Sequence, residues 1–268
     1  MAEAGFDSVM RWVPFHLGEK ELRNRIRNKM IRPTTIPQTL EDLIVEQAIA
    51  REALRLAFIQ HKSLAVGLKG VQRMRTIAET FSQSGSGETL VDMLDLDLLV
   101  GSGGVLSHAP RRSQAAMMLI DAFLPEGVTA LAVDSIFMMP QLGVLSKVNE
   151  KAATDVFVRD CLIHIGTCVA PVVQAKPGEA VAEVELGFDD GRTETREMKF
   201  GTLSTILLPW TEVPNATLRV VPHGKADFGA GPGKTLERKI TGGLSGVILD
   251  ARGRQPFALP DDDAQRVK

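Results

Sequence analysis

Three glycines follow an apolar run near the middle of the chain, in LLVGSGGVLSHAP at residues 98–110. A turn needs one or two glycines, so Gly101, Gly103 and Gly104 within four positions indicate a backbone that something approaches closely. Backbone N–H groups exposed between a buried strand and a helix can bind a nucleotide. The alternative is a tight strand-to-helix connection that needs the glycines for packing alone.

The spacing of these glycines matches neither common nucleotide fingerprint. A Rossmann fingerprint needs a third glycine where Leu106 stands, and the Gly-Lys-Ser/Thr of a Walker A loop does not follow. A second glycine-rich stretch, GAGPGKT at residues 229–235, is interpreted as a wide hairpin turn because it lies among expected strands. The glycine loop at 101–108 is therefore a fragment of a nucleotide-type site without a complete catalytic set.

A serine, a histidine and an aspartate near this loop could instead act as the catalytic group of an enzyme. Ser107 and His108 are adjacent, and Asp134 ends the next expected strand, a usual place for a functional carboxylate in α/β folds. The alternatives are a histidine that bonds its own loop and an aspartate that caps a helix or turn. The histidines lie far apart and neither HExxH nor CxxC occurs, so no metal site is expected.

The composition limits the classes of partner. With 31 Lys and Arg against 33 Asp and Glu, the net charge of −2 gives no electrostatic case for nucleic acid or an anionic membrane. No apolar run approaches the ~20 residues that span a bilayer, and the N-terminus lacks the apolar core of a secretory signal. Cys161 and Cys168 are expected to be reduced. These features predict a cytoplasmic protein without nucleic-acid or membrane partners.

The first third of the chain has the apolar spacing of helices. One helix is expected at residues 18–32, ended by Pro33, and a second begins after Thr39, a natural N-cap. A third is expected over residues 70–81, with a loop after it. A basic run on the first helix is either a solvated face or a surface that docks a partner: Arg23, Arg25, Arg27, Lys29 and Arg32.

Strand, glycine loop, helix and strand then follow one another, which is the order of an α/β unit. Its helix is expected over residues 111–123 and its second strand within 125–135, pairing in parallel with the first strand. A short helix is expected within IFMMPQLGVLSKVN. Short alternating or β-branched segments separated by turn signals follow from about residue 155, which favours an antiparallel sandwich or barrel.

The predicted fold class is accordingly α+β. It has a helical segment at residues 1–88, an α/β piece at 89–152 and a β-rich domain at 153–268. The boundary before the β-rich domain is expected near residues 147–155.

Three stretches of the chain resemble one known family. They are RNRIRNKMIRPTTIPQTLEDLIVEQAIAREALRLA, LLVGSGGVLSHAPRRSQAAMMLIDAFLPEGVTALAVDSIFMMPQLGVLS and ITGGLSGVILDARGR. They resemble the MutL/GlmL family, whose members are encoded beside glutamate mutase and related cobalamin-dependent mutases and are unrelated to the mismatch-repair protein of the same name. The family is regarded as part of the actin-like ATPase superfamily and as accessory or reactivating factors of the mutase.

The resemblance implies a role for the glycine loop. In the superfamily a loop of this kind contacts the adenosine part of a nucleotide. The residues that match it or stand beside the matching ones are Gly101, Ser102, Gly103, Gly104, Ser107 and His108. The implied cofactor is ATP or ADP at a partial site, with no cofactor required, no catalytic residue and no metal ligand.

The chain departs from the superfamily in one respect. Superfamily ATPases carry two Asp-x-Gly-Ser/Thr phosphate loops, and neither occurs in this sequence. The chain therefore resembles the C-terminal portion of such a protein, a natural truncation or an excised piece, and ATP hydrolysis by it alone is not expected. The expected partners are a subunit of a cobalamin-dependent mutase, the missing N-terminal ATPase portion, or another copy of the chain.

The sequence as a whole predicts an accessory, chaperone-like protein for a cobalamin-dependent mutase of the glutamate mutase type, with the β-rich domain as its docking module. Two other functions are left open. One is an independent small enzyme that uses Ser107, His108 and Asp134. The other is a structural protein that oligomerises through the β-rich domain and uses the glycine loop for packing alone.

Overall fold

The computed structural model describes residues 6–65, 90–207 and 215–254. Helices form one layer of this part, a mixed five-stranded sheet the next, and an antiparallel four-stranded sheet the third. The helix expected at 70–81 and the loop after it lie outside the described residues. Among the helices that the structure describes, none combines the length and the apolarity that crossing a membrane requires.

Three helices occupy the N-terminal part of the chain: α1 Phe6–Met10, α2 Glu19–Ile31 and α3 Leu40–Leu64. The extent of α2 and the start of α3 confirm the sequence prediction. The hydroxyl of Thr39 accepts a hydrogen bond from the N–H of Asp42 at 3.1 Å, as expected of an N-cap. The buried apolar side chains shared by these helices form one small core: Val9, Met10, Val13, Leu17, Leu22, Val45 and Ala48.

The five-stranded sheet, sheet I, consists of β1 Leu98–Gly101, β2 Gly127–Asp134, β3 Leu162–Ala170, β6 Leu203–Ile206 and β9 Val247–Asp250. Their order across the sheet is β1-β2-β3-β9-β6. β1 and β2 are parallel, as predicted for the α/β unit. The β2–β3 and β6–β9 pairs are antiparallel, whereas β3 and β9 are parallel.

Two helices connect β1 to β2: α4 Gly104–Ser107 and α5 Arg112–Phe123. The predicted helix at 111–123 is thereby confirmed. After β2 the chain forms α6 Met139–Leu145, the short helix expected there, then α7 Glu150–Val156. A π-helical turn at Phe157–Cys161, which the sequence did not predict, leads into β3.

The four-stranded sheet, sheet II, consists of β4 Ala180–Phe188, β5 Thr193–Lys199, β7 Asn215–Pro222 and β8 Leu236–Thr241. Its order is β5-β4-β7-β8, and every neighbouring pair is antiparallel. Neither sheet is closed, so the alternative of a barrel is wrong. The C-terminal strands do not make a sandwich among themselves either, because β3, β6 and β9 join sheet I, whose β1 and β2 precede residue 153.

The two sheets pack face to face through alternating apolar side chains. Sheet I contributes Val128, Val169, Val247 and Leu249, and sheet II contributes Val184, Leu186, Leu218 and Val220. The opposite face of sheet I packs against α5, through Leu131, Val133, Ile165 and Ile248 on the sheet and Ala115, Ala116 and Leu119 on the helix. Sheet I is thus covered on both faces, which explains why its strands are almost continuously apolar.

Backbone approaches backbone closely where β3 meets the segment that follows β8. A Cβ built at Gly166 would overlap the carbonyl oxygen of Gly246, and one built at Gly243 would overlap the backbone of Ile165 and Gly166. Because these neighbours are main-chain atoms, no side chain can move away to make room. The approach holds β9 in register beside β3.

We expect Gly166→Ala to lower the free energy of unfolding by about 3 kcal/mol or more, because the added methyl group forces two strands apart. Urea denaturation at neutral pH measures the change. Gly143→Ala on α6 is the control, since its Cβ would meet nothing within 4 Å. The control should be neutral or stabilising by up to about 1 kcal/mol. Equal unfolding midpoints for the two variants would contradict the register argument.

Candidate functional site

The glycine loop lies at the carboxyl end of β1, beside the carboxyl end of β2. Gly101 pairs with Val133 across the parallel strands, so Asp134 follows one position beyond that pair. Ligands of α/β folds bind at the carboxyl ends of the strands. The structure therefore brings together the two features that the sequence had singled out separately, the loop and Asp134.

The three glycines of the loop differ in their surroundings and in their backbone conformation. At Gly101, which is buried, an added Cβ would lie 3.0 Å from Leu106 Cδ1 and 3.2 Å from Leu119 Cδ2, so glycine allows the helices to pack on the strand. Gly103 has φ +105°, which side chains rarely adopt. Gly104 is exposed, and a Cβ there would meet nothing within 4 Å. Gly103 and Gly104 both border open space, and of the two only Gly104 has a backbone conformation that a side chain readily adopts.

Ser107 ties the glycine loop to the end of β2. Its buried hydroxyl donates a hydrogen bond to the backbone carbonyl of Asp134 at 2.5 Å, and its own carbonyl accepts one from Arg112 Nη1 at 2.6 Å. The hydroxyl proton therefore points at a carbonyl oxygen, which cannot act as a general base. Ser107 positions the loop and does not serve as a nucleophile in this arrangement.

His108 ends α4 with its backbone N–H donating to the carbonyl of Gly104 at 3.0 Å. The residue is exposed, and within the described residues no hydrogen bond joins its imidazole to Ser107 or to Asp134. The geometry thus does not assemble the Ser107, His108 and Asp134 group that an independent enzyme would need. His108 is an exposed residue at the end of α4, and its binding of a nucleotide stays a prediction.

The carboxylate of Asp134 is fully buried and accepts several hydrogen bonds. Its Oδ2 accepts from the N–H of Met139 at 2.8 Å and from the hydroxyl of Ser102 at 3.4 Å. Burial acts to raise the pKa of Asp134, but the backbone N–H groups of Met139, Met138 and Ile136 and the Ser102 hydroxyl outweigh it and lower the pKa below its ordinary value. Asp134 is therefore an ionised, buried anchor that fastens the loop and α6 to β2.

One oxygen of this carboxylate has no hydrogen-bond partner. Asp134 Oδ1 is buried, and nothing in the described part of the chain donates to it. Buried polar atoms are usually paired, so a bound water or a donor group of a ligand fits this position.

A cavity of about 310 Å³ lies beside the loop, where α2, α3 and α4 meet. Its apolar lining consists of Ile36, Pro37, Val45, Ile49, Ala50 and Val105, the last of them from the glycine loop. Two ion pairs stand at its wall, Arg25 with Asp42 at 2.9 Å and Lys29 with Glu46. The volume is at the lower end of the ~300–1,000 Å³ typical of small-molecule sites.

The sequence reasoning missed this cavity because its walls come from segments far apart in the chain. Only one signal pointed to it: the residues of α2 and α3 that line it belong to the first of the three stretches that carry the family resemblance. The basic residues for which the sequence left open a solvated face or a docking surface are in part cavity residues. Arg25 and Lys29 line the cavity, whereas Arg23 pairs with Glu19 outside it.

The second glycine-rich stretch is a hairpin connection, as predicted. β7 and β8 are antiparallel, and residues 223–235 join them. The carboxylate of Asp227 accepts hydrogen bonds from the N–H groups of Gly229 at 2.8 Å and Gly231 at 3.0 Å. A carboxylate of the chain thus already occupies backbone donors that a phosphate would need.

The two cysteines are buried and are not placed to act as nucleophiles or metal ligands. Cys161 and Cys168 are both buried, and burial raises the pKa of Cys168 to about 12, so this thiol stays protonated. Burial also raises the pKa of Cys161. Among the residues that the structure describes, no group of three or more His, Cys, Asp or Glu could hold a metal ion.

Comparison with known proteins gives one match. A family model described as MutL protein matches residues 1–161. The matched range contains the N-terminal helices, the glycine loop, Asp134 and the lining of the cavity, and it ends just before β3. ITGGLSGVILDARGR, the third of the resembling stretches, lies beyond it. No curated protein and no solved structure matches the chain.

We expect Gly103→Ala to lower the free energy of unfolding by about 1–3 kcal/mol, because the φ of +105° strains any side chain. Gly104→Ala is the matched control, since it adds the same methyl group into open space one residue later. Thermal or urea unfolding compares the two variants. If Gly104→Ala destabilises as much as Gly103→Ala, the loop is held differently from this structure.

Asp134 should make stability depend on pH in the acid range. Because folding lowers its pKa, its contribution is complete above the unfolded value of about 3.9 and is lost as the pH falls below it. Asp134→Asn cannot ionise, so the difference between native and variant stability should shrink as the pH drops from about 6 to about 3. Urea titrations across this range measure the two curves. A constant difference would show that the ionised carboxylate contributes nothing specific.

Proposed function

This chain belongs to the MutL family, and on that premise we propose that it serves as an accessory protein of a cobalamin-dependent mutase of the glutamate mutase type. The observation that carries the proposal is the family match over residues 1–161, which includes every helix around the glycine loop. The Ser107 hydroxyl is bonded to a backbone carbonyl and is not a nucleophile in this arrangement. A site that binds a ligand without reacting with it fits a reactivating or chaperone-like role. Docking of the mutase through the C-terminal strands stays a prediction.

We propose further that the glycine loop and the cavity beside it form the nucleoside side of an ATP or ADP site. The open space at Gly104 lets a ligand approach the loop, and Val105 connects the loop to the cavity. Placing this unit in the actin-like superfamily is part of the proposal. The parallel β1–β2 pair with a glycine loop after β1 supports it.

The residues around the cavity suit a purine base and its ribose. Val45, Ile49 and Val105 offer apolar faces against which a flat ring can pack. Asn28 and Gln38 have amides that both donate and accept hydrogen bonds, as the edge of a base requires. A cavity of about 310 Å³ is small for a whole nucleoside triphosphate. If ATP bound here, Val45 and Ile49 would lie against its base, and phosphoryl transfer would still need the phosphate loops that this sequence lacks.

The accessory role is tested by mixing the purified chain with the subunits of a glutamate mutase-type enzyme. Size-exclusion chromatography with light scattering then gives the mass of each species. We expect a complex whose mass equals that of the chain plus a mutase subunit. The chain alone, run over a range of concentrations, is the control for self-association. Absence of a complex at concentrations of about tens of micromolar would overturn the proposal, and growth of the chain's own mass would favour a structural, oligomerising function.

The nucleoside site is tested by calorimetric titration of the chain with ATP-Mg²⁺ and with ADP. Gly104→Val should weaken binding at least about tenfold, because the added side chain fills the open space while leaving the fold intact. Gly143→Val is the matched control, since it makes the same change on α6 where nothing lies within 4 Å. If the native chain binds neither nucleotide, or if both variants weaken binding equally, the nucleoside site is wrong whatever the mutase experiment shows.

A further inference from the structure

The turn between α2 and α3 exposes a group of large apolar side chains. Met30, Ile31, Ile36 and Leu40 are 70%, 76%, 72% and 70% exposed. Single exposed apolar residues are common on proteins, but four at this exposure within eleven positions are a local concentration of apolar surface at one turn. The core below does not need them, since Leu22 is the buried residue of α2.

Two arginines with free guanidinium groups border the same turn. Arg27 and Arg32 are exposed, and neither forms an ion pair with any described residue. Three other basic residues of α2 are paired with carboxylates: Arg23 with Glu19, Arg25 with Glu21 and Asp42, and Lys29 with Glu46. Glu41, next to Leu40, is an exposed carboxylate without an ion pair among the described residues, so the turn carries two unpaired arginines against one unpaired carboxylate. Its local charge is positive, although the whole chain is slightly acidic.

We infer that this tip patch, made of Arg27, Met30, Ile31, Arg32, Ile36 and Leu40, docks an apolar protein surface bordered by carboxylates. Apolar contact at the centre with opposite charges at the rim is the usual composition of a specific protein interface. The carboxylates of the partner would pair with Arg27 and Arg32, two charges that have no ion pair within the described residues. The inference goes beyond the accessory role and does not depend on it.

Charge also argues against two other occupants of the tip patch. A second copy related by a two-fold axis would place the same positively charged patch on both sides of the contact, which is unfavourable. Stable recruitment to an anionic membrane usually takes a cluster of about 4–8 basic residues. Two free arginines without an aromatic anchor fall short of that requirement.

The experiment uses the full chain and a labelled amphipathic helical peptide of about 18 residues, with leucines on one face and glutamates beside them. Fluorescence anisotropy measures binding. We expect the native chain to bind, and Arg27→Glu with Arg32→Glu to weaken binding at least about tenfold. Met30→Ser with Ile31→Ser should weaken it to a similar extent. Arg27→Lys with Arg32→Lys should retain it, and raising NaCl from about 50 to about 300 mM should reduce it.

The matched control changes exposed apolar side chains elsewhere: Val144→Ser with Val148→Ser, at positions that are 72% and 86% exposed. It should bind the peptide as the native chain does. The inference is overturned if the native chain does not bind, if the control loses binding equally, or if a peptide with lysines in place of the glutamates binds as well. A membrane role is tested with vesicles of phosphatidylcholine and phosphatidylserine. The inference is also overturned if the native chain binds these vesicles but not the peptide, and if the tip variants lose vesicle binding.

Discussion

Asp134 holds three elements of the candidate site together. Its backbone carbonyl accepts the hydroxyl of Ser107, and its carboxylate accepts the N–H of Met139 and the hydroxyl of Ser102. The glycine loop, the end of β2 and the start of α6 are thereby fixed relative to one another. A buried carboxylate is costly unless it is paired, so the loop and α6 are constrained to supply its donors. The open space at Gly104 exists because this arrangement holds α4 against the end of the sheet.

A second set of charges fixes the helical layer to sheet I. Asp121 on α5 pairs with Arg51 on α3 at 2.9 Å and with Arg252, just after β9, at 3.1 Å. Arg252 and Arg254 in turn pair with the buried Asp250. Replacing one member of such a buried ion pair lowers the free energy of unfolding strongly, because the remaining charge is left without a partner. These ion pairs link residues 1–161, which match the family model, to β9, which lies beyond that range. Through Arg51 they also set the position of α3, which forms one wall of the cavity.

Local features were predictable from the sequence because their causes are local. Thr39 caps α3, and the apolar period gives the extents of α2 and α5. The helical crossover over residues 102–126 allows β1 and β2 to be parallel. The assignment of β3, β6 and β9 to sheet I was not predictable, since an apolar strand does not specify which neighbour it pairs with. The separate reasons for Gly101, Gly103 and Gly104 also depend on distant packing. The cavity was missed for the same reason, because no local pattern shows that α2 and α3 meet the glycine loop.

The central claim is that the glycine loop and the cavity between α2 and α3 are one site for a nucleoside. Hydrogen–deuterium exchange of the chain, with and without saturating ADP, tests it most directly because the readout is resolved along the sequence. The account predicts slower exchange at residues 103–106 and along the cavity-lining parts of α2 and α3, with no change at the hairpin of residues 223–235. Protection confined to the hairpin, or protection of the loop without the helices, would contradict it.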